Sequence, residues 1–222
     1  MRETQGQPLW ALLGGTPQIL KQLLHSPATL ITGGLLVVLG IYRMVQGTFW
    51  SILATEELLV PAQYLALYPF ARAIIQLLFL FLVMPWFSRM DARKPMIVGL
   101  LGFAVSQVIL IAIPARSFVL LLLATILDGC SLPLVSTLVN KWVVTTIDAE
   151  ERARIMAILY TLVLVLTSPF GWIAGRMSEV NRRLPFVLLV VLVGMGMLLI
   201  WLGARQSAKQ SEGERVEQTA QA

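Results

Sequence analysis

VVTTIDAEERARIMAILYTLVLVLTSPFGWIAG, residues 143–175, sets a charged elbow against a long apolar run. Asp148, Glu150, Glu151, Arg152 and Arg154 crowd together, and no Asp, Glu, Lys, Arg or His follows until Arg176. A membrane-spanning helix needs about 20 mostly apolar residues, and the stretch after Arg154 provides them. Asp148 can cap that helix, and Glu151 three positions later completes a capping-box-like pair. Glu150 and Arg154 stand at i, i+4, the order that supports a helix start. Arg152 and Arg154 fall where cytoplasmic anchors collect. The charged island therefore reads as the inner elbow between two membrane helices, not as a reactive site or a nucleic-acid patch.

Composition supports that reading along the whole chain. Of 222 residues, 57% are hydrophobic and only 13% charged, with a mean hydropathy of +0.79. A soluble domain usually carries about 25% charge, so too little polar surface remains here to cover a globule. The net charge of +5 does not mark a nucleic-acid partner, because the basic residues are scattered and the aromatics sit in apolar runs. Cys130 and His25 are the only residues of their types, which excludes an intrachain disulfide and a cysteine metal cluster.

Six spans are expected, at about 30–53, 64–87, 95–114, 117–143, 153–174 and 184–203. The fold class is then all-α integral membrane, a bundle of six transmembrane helices. Residues 1–29 read as a cytoplasmic surface segment, amphipathic near Ile19–Leu24, and residues 204–222 as a disordered cytoplasmic tail. The opening MRETQGQP lacks a signal-peptide pattern, so insertion through the first span is expected. With both termini in the cytoplasm, the inside segments hold eleven basic residues and the outside loops four. That asymmetry favours this orientation, and the basic loop Arg176–Arg183 runs against it. The expected location is the cell membrane, plasma or inner, crossed several times.

Three charges fall near mid-depth: Arg43 in the first span, Arg72 in the second and Asp128 in the fourth. A charge at mid-bilayer costs about 2.5–3.5 kcal/mol on insertion scales, so it faces a partner or water. Asp128 can pair with either arginine, as a structural ion pair or as part of a solute or proton pathway. Tyr64, Tyr68, Arg72 and Gln76 recur every four residues on one face. Arg43, Gln46, Gly47 and Trp50 share a face of the first span, and Thr125, Asp128, Ser136 and Asn140 can share one of the fourth. The first, second and fourth spans are expected to line an aqueous interior, with the third and sixth facing mainly lipid. Gly171 and Gly175 form a GxxxG suited to close helix contact, and Pro133 and Pro169 are candidate kinks.

Enzyme chemistry finds little support. No span carries a histidine to serve an intramembrane protease, and there is no P-loop, Rossmann fingerprint or HExxH.

The stretch from Leu138 to Phe186 resembles the major facilitator superfamily, in the C-terminal six-helix half of its transporters. The acidic and ERAR-like loop, followed by a helix ending in PFGWIAG, carries the likeness. SRMDARKP, after the second span, is similar to the family's acidic-basic loop motif, with Asp91, Arg93 and Lys94 at the acidic and basic positions. The motif's glycines are absent, and Phe87 stands where the leading one is usual. The likeness covers roughly Leu9 to Leu202, and the segment before the first span resembles the linker between the two halves.

The resemblance implies a half-bundle in which the first, second, fourth and fifth spans line the pathway. It implies a secondary transporter of a small solute, working by alternating access in the lipid bilayer, with no cofactor and with coupling to H+ or another ion. Arg43, Gln46, Tyr68, Arg72, Gln76, Asp128 and Asn140 are the candidate pathway or coupling residues, and Asp91, Arg93 and Lys94 the gating-loop candidates. The partner is expected to be a missing N-terminal half, a separately encoded half, or a second copy in a homodimer. Two rival readings are a non-transporting membrane interaction module and the permease subunit of an ATP-driven importer.

Overall fold

The computed structural model describes residues 27–87, 89–91, 93–146 and 152–220. The described residues are helical or in short connections, without a strand. They form α1 (Pro27–Ile52), α2 (Ala62–Leu65), α3 (Leu67–Leu78), α4 (Met84–Phe87), α5 (Arg93–Ala112), α6 (Phe118–Thr146), α7 (Arg152–Val180) and α8 (Leu184–Ala220). Six helical stretches are long and apolar enough to cross a membrane: Leu30–Glu57, Gln63–Phe87, Lys94–Ala112, Phe118–Val143, Met156–Val180 and Leu184–Gly203. These are the six expected spans.

The second span departs from a single helix. Pro69 has no N–H to give Leu65, and the chain makes a turn at Ala66. Pro85 likewise cannot bond to Phe81, and the preceding Phe79–Val83 widens to a π-helix in which Met84 N–H reaches Phe79 O. The first span ends in a second π turn, Leu53–Glu57, closed by Leu58 N–H on Leu53 O at 3.0 Å. Pro133 and Pro169 lie within continuous helices.

Small residues draw the third and fourth spans together. Gly99, Gly102 and Ser106 fall on one stripe of α5. A Cβ on Gly99 would lie 2.6 Å from Val135 Cγ2, and one on Gly102 would collide with Ser131. Ser106 donates to the Ala124 carbonyl at 2.9 Å, joining the two helices by a buried hydrogen bond. The expected GxxxG is only half used: Gly171 packs on Met44, whereas Gly175 has open space beside it. The close approach of the first and fifth spans comes from Gly40, where a Cβ would stand 2.9 Å from Thr167.

α8 packs on α1 and α5, and Leu189, Val193 and Ile200 are buried there. The third and sixth spans have 44% and 33% of their windows buried within the bundle, and the larger part of each stays on its outside. The second and fifth spans are the outward ones, at 11% and 6%. α8 also runs on to Ala220, so the tail expected to be disordered is helical through residues 204–220. Its Ala, Gln, Lys, Arg and Glu are good helix formers, and no proline interrupts them. The expected surface segment lies almost wholly outside the described residues, as does the capping pair Asp148 and Glu151.

The end of the bundle away from the elbow is clasped by arginines. Arg182 Nε lies 2.6 Å from Glu56 Oε2, and Arg183 Nε donates to Glu57 Oε1 at 3.1 Å. Arg183 also donates to the carbonyls of Ile111 and Ile113 near the end of α5, at 2.8 and 3.2 Å. The basic loop that ran against the expected orientation is therefore occupied with carboxylates and helix-end carbonyls.

Candidate functional site

The face of α1 that carries Gln46 and Trp50 meets α3 and α6 around a cavity of about 200 Å³. Tyr68 and Arg72 come from α3, and Thr125 and Asp128 from α6. Trp50 and Tyr68 form one wall, with ring centroids 5.8 Å apart. Thr125 turns its hydroxyl onto Leu121 O within its own helix, at 2.8 Å.

Asp128 is 1% exposed. Its Oδ2 lies 2.7 Å from Arg72 Nη2. The contact is an ion pair without the alignment of a directed hydrogen bond, and Arg72 Nε keeps no acceptor. The other carboxylate oxygen, Oδ1, accepts from the Tyr42 hydroxyl. Tyr42 in turn accepts from Gln107 Nε2 at 2.7 Å. A buried polar chain thus runs from the third span through the first to the fourth, and the second span closes it with a cation. Charge balance explains the geometry: a carboxylate in an apolar span survives only with a countercharge and hydrogen bonds on its lone pairs.

Of the two arginines open to Asp128 from sequence, Arg72 is the partner. Arg43 is exposed and lies in a second cavity of about 560 Å³. That cavity also holds Gln76 of α3, with Ser136 and Thr137 of α6. Along the second and fourth spans the first cavity ends at Arg72 and Asp128, and the second occupies residues 73–81 and 132–137. The ion pair stands at the boundary between them.

Gln46, Tyr68, Arg72 and Asp128 are brought together, and Arg43 and Gln76 share the neighbouring cavity. Asn140 is not with them. It is exposed, 12 residues beyond Asp128 and so roughly 18 Å along α6. Asp91 lies on an exposed turn, where its carbonyl accepts from Lys94 N–H at 3.2 Å, and the Arg93 side chain lies outside the described residues. The lining of these two cavities includes no residue of the fifth span.

Tyr42 and Gln107 are the functional candidates that the sequence reading missed. Tyr42 sits in a run of aliphatics, with its ring against Phe103 at 4.0 Å between centroids. Gln107 is a polar side chain in a span set aside as lipid-facing. A glutamine in the middle of an apolar helix is itself the overlooked signal, since hydrocarbon leaves its amide no partner.

Comparison with curated proteins returns no match. The sequence profile of the Major Facilitator Superfamily, a family of membrane transporters, matches residues 33–221, from the start of the first span to the end of α8. With six membrane helices and that match over most of its length, the chain belongs to the Major Facilitator Superfamily.

Proposed function

We propose that the chain is the moving, solute-binding body of a secondary active transporter that works by alternating access. The observation that carries this is the ion pair Arg72–Asp128 at the boundary of two cavities. Asp128 is the coupling group. Protonation removes the charge that holds Arg72, the contact parts, and the barrier between the cavities opens. Restoring the carboxylate closes it. A small polar or charged solute passes between Gln46, Tyr68 and Arg72 on one side and Gln76 and Arg43 on the other. Membership in a family of transporters favours this over an ATP-driven permease or a non-transporting module.

In the cell membrane both termini face the cytoplasm, and the tied-up arginines of the Arg176–Arg183 loop support that orientation. A second helical body covers the outward faces of the second and fifth spans, where Leu78, Leu82, Leu164 and Trp172 are exposed. A cysteine at Leu164 then reacts slowly with a lipid-soluble maleimide. Labelling as fast as at a lipid-facing control such as Val191 would count against the covering body.

The transport test is uptake of a labelled metabolite panel by cells expressing the chain, compared with vector-only cells. A solute accumulated only when a proton gradient is present, and lost in Asp128→Asn at normal expression, supports the assignment. Undiminished gradient-driven uptake in both Asp128→Asn and Arg72→Ala would sink it.

A further inference from the structure

Arg43 is a charged group whose neutralisation the ion pair does not supply. Among the described residues its guanidinium has no carboxylate or hydrogen-bond partner, since Asp128 is committed to Arg72 and Tyr42. It cannot escape to water along the helix. Leu30 and Glu57 bound the span, so Arg43 stands about 20 Å from either end at 1.5 Å per residue. Snorkelling reaches the interface only from near a helix end. Its charge therefore belongs to the cavity of about 560 Å³ that it lines, a volume in the range of small-molecule sites.

No acidic residue lines that cavity. Of the three charges near mid-depth, Arg72 and Asp128 balance each other and Arg43 is left over. Gln76 and Thr137 add uncharged polar groups beside Arg43, and Leu77, Leu80, Phe81 and Leu132 form the rest of the wall. A guanidinium offers a fork of donors that matches a carboxylate or phosphate. One anionic head on Arg43 with an apolar body against the leucines satisfies both halves of the lining. A cation would add repulsion, and a polar neutral molecule would leave the charge unbalanced.

We infer that the Arg43 cavity is a binding site for an amphipathic monoanion, an organic acid with an apolar tail or the head of an anionic lipid. This deepens the transport reading by naming the class of solute, and it depends on that reading only for the step of translocation. The test is a binding measurement, so a site that binds without transporting separates the two.

The full chain is placed in nanodiscs of zwitterionic phosphatidylcholine, and radiolabelled octanoate is measured by equilibrium dialysis against protein-free discs. Saturable binding is expected, unaffected by excess octylamine. It weakens about tenfold or more in Arg43→Gln and is largely kept in Arg43→Lys. Ala73→Trp fills the cavity, leaves Arg43 in place and also abolishes binding. Discs containing phosphatidylglycerol distinguish the sources. Displacement of octanoate by this lipid, dependent on Arg43, supports the same site occupied by a headgroup. Persistence of octanoate binding supports a soluble acid. Octanoate and phosphatidylglycerol binding that are both indifferent to Arg43→Gln and Ala73→Trp would overturn the inference.

Discussion

At Asp128 two side chains from two other helices, Arg72 and Tyr42, share one buried carboxylate, and Gln107 from a third helix holds Tyr42. Removing one partner of such a set leaves a charge without compensation, and the cost is about 3–5 kcal/mol for a broken buried pair. Arg72→Ala is therefore expected to lower the unfolding midpoint in detergent far more than the double variant Arg72→Gln/Asp128→Asn, which leaves no bare charge. Equal losses in the two would show that the pair contributes packing only. Tyr42→Phe keeps the ring on Phe103 and deletes the hydroxyl. Its expected cost is about 1.5–3 kcal/mol, the range for a hydrogen bond to a charged group. A double-mutant cycle of Tyr42→Phe with Gln107→Leu is expected to be non-additive, since Gln107 reaches the carboxylate only through Tyr42. Sequence periodicity found Arg72 and Asp128 because charges in oil stand out. It passed over Tyr42 because a tyrosine among aliphatics looks like any core aromatic until a partner is placed against it.

Between elements, glycine distinguishes tight contacts from open ones. Gly40 faces Thr167 and Val163, both β-branched and stiff at χ1. Gly40→Val is expected to push α1 and α7 apart at a cost of about 1–3 kcal/mol, as for overpacking in a core. Gly175 meets nothing within 4 Å. Gly175→Ala is expected to be neutral or to stabilise α7 by up to about 1 kcal/mol, the helix-propensity difference. Thermal unfolding of the two variants side by side checks the contrast, and a larger loss in Gly175→Ala would reverse the assignment. The GxxxG pattern was legible, but which glycine faces a neighbour depends on the rotation of each helix, which spacing alone does not set. The break in the second span was legible in principle from Pro69 and Pro85, because a missing donor acts locally.

For the whole molecule, the arginine clasp ties the turn before α8 to the ends of the first and third spans. Arg183 donates to Glu57, Ile111 and Ile113, while among the described residues Arg176 pairs with exposed Glu179 three residues on. Arg183→Ala is expected to cost about 1–3 kcal/mol, and Arg176→Ala less than about 0.5. Chemical unfolding in detergent ranks them, and equal effects would mean that the clasp does not hold the bundle end. The same end explains why charge counting met a contradiction in this loop. Loop arginines vote on topology only as a population, and these are engaged with particular acceptors.

What the sequence determined by itself is the solvent, the helix class, the number of spans and the family. Each follows from length, hydropathy or local motif: about 20 apolar residues must be a helix in lipid because backbone groups find no water there. What the tertiary structure decided is which helices are central and which charge answers which. The second and fifth spans are the least buried of the six, at 11% and 6% of their windows, because burial depends on which face of each helix its neighbours occupy. Arg72 rather than Arg43 holds Asp128 for the same reason. Two cations at similar depth are equivalent in a sequence, and only the rotation and packing of α1, α3 and α6 bring one to the carboxylate and leave the other facing an open cavity.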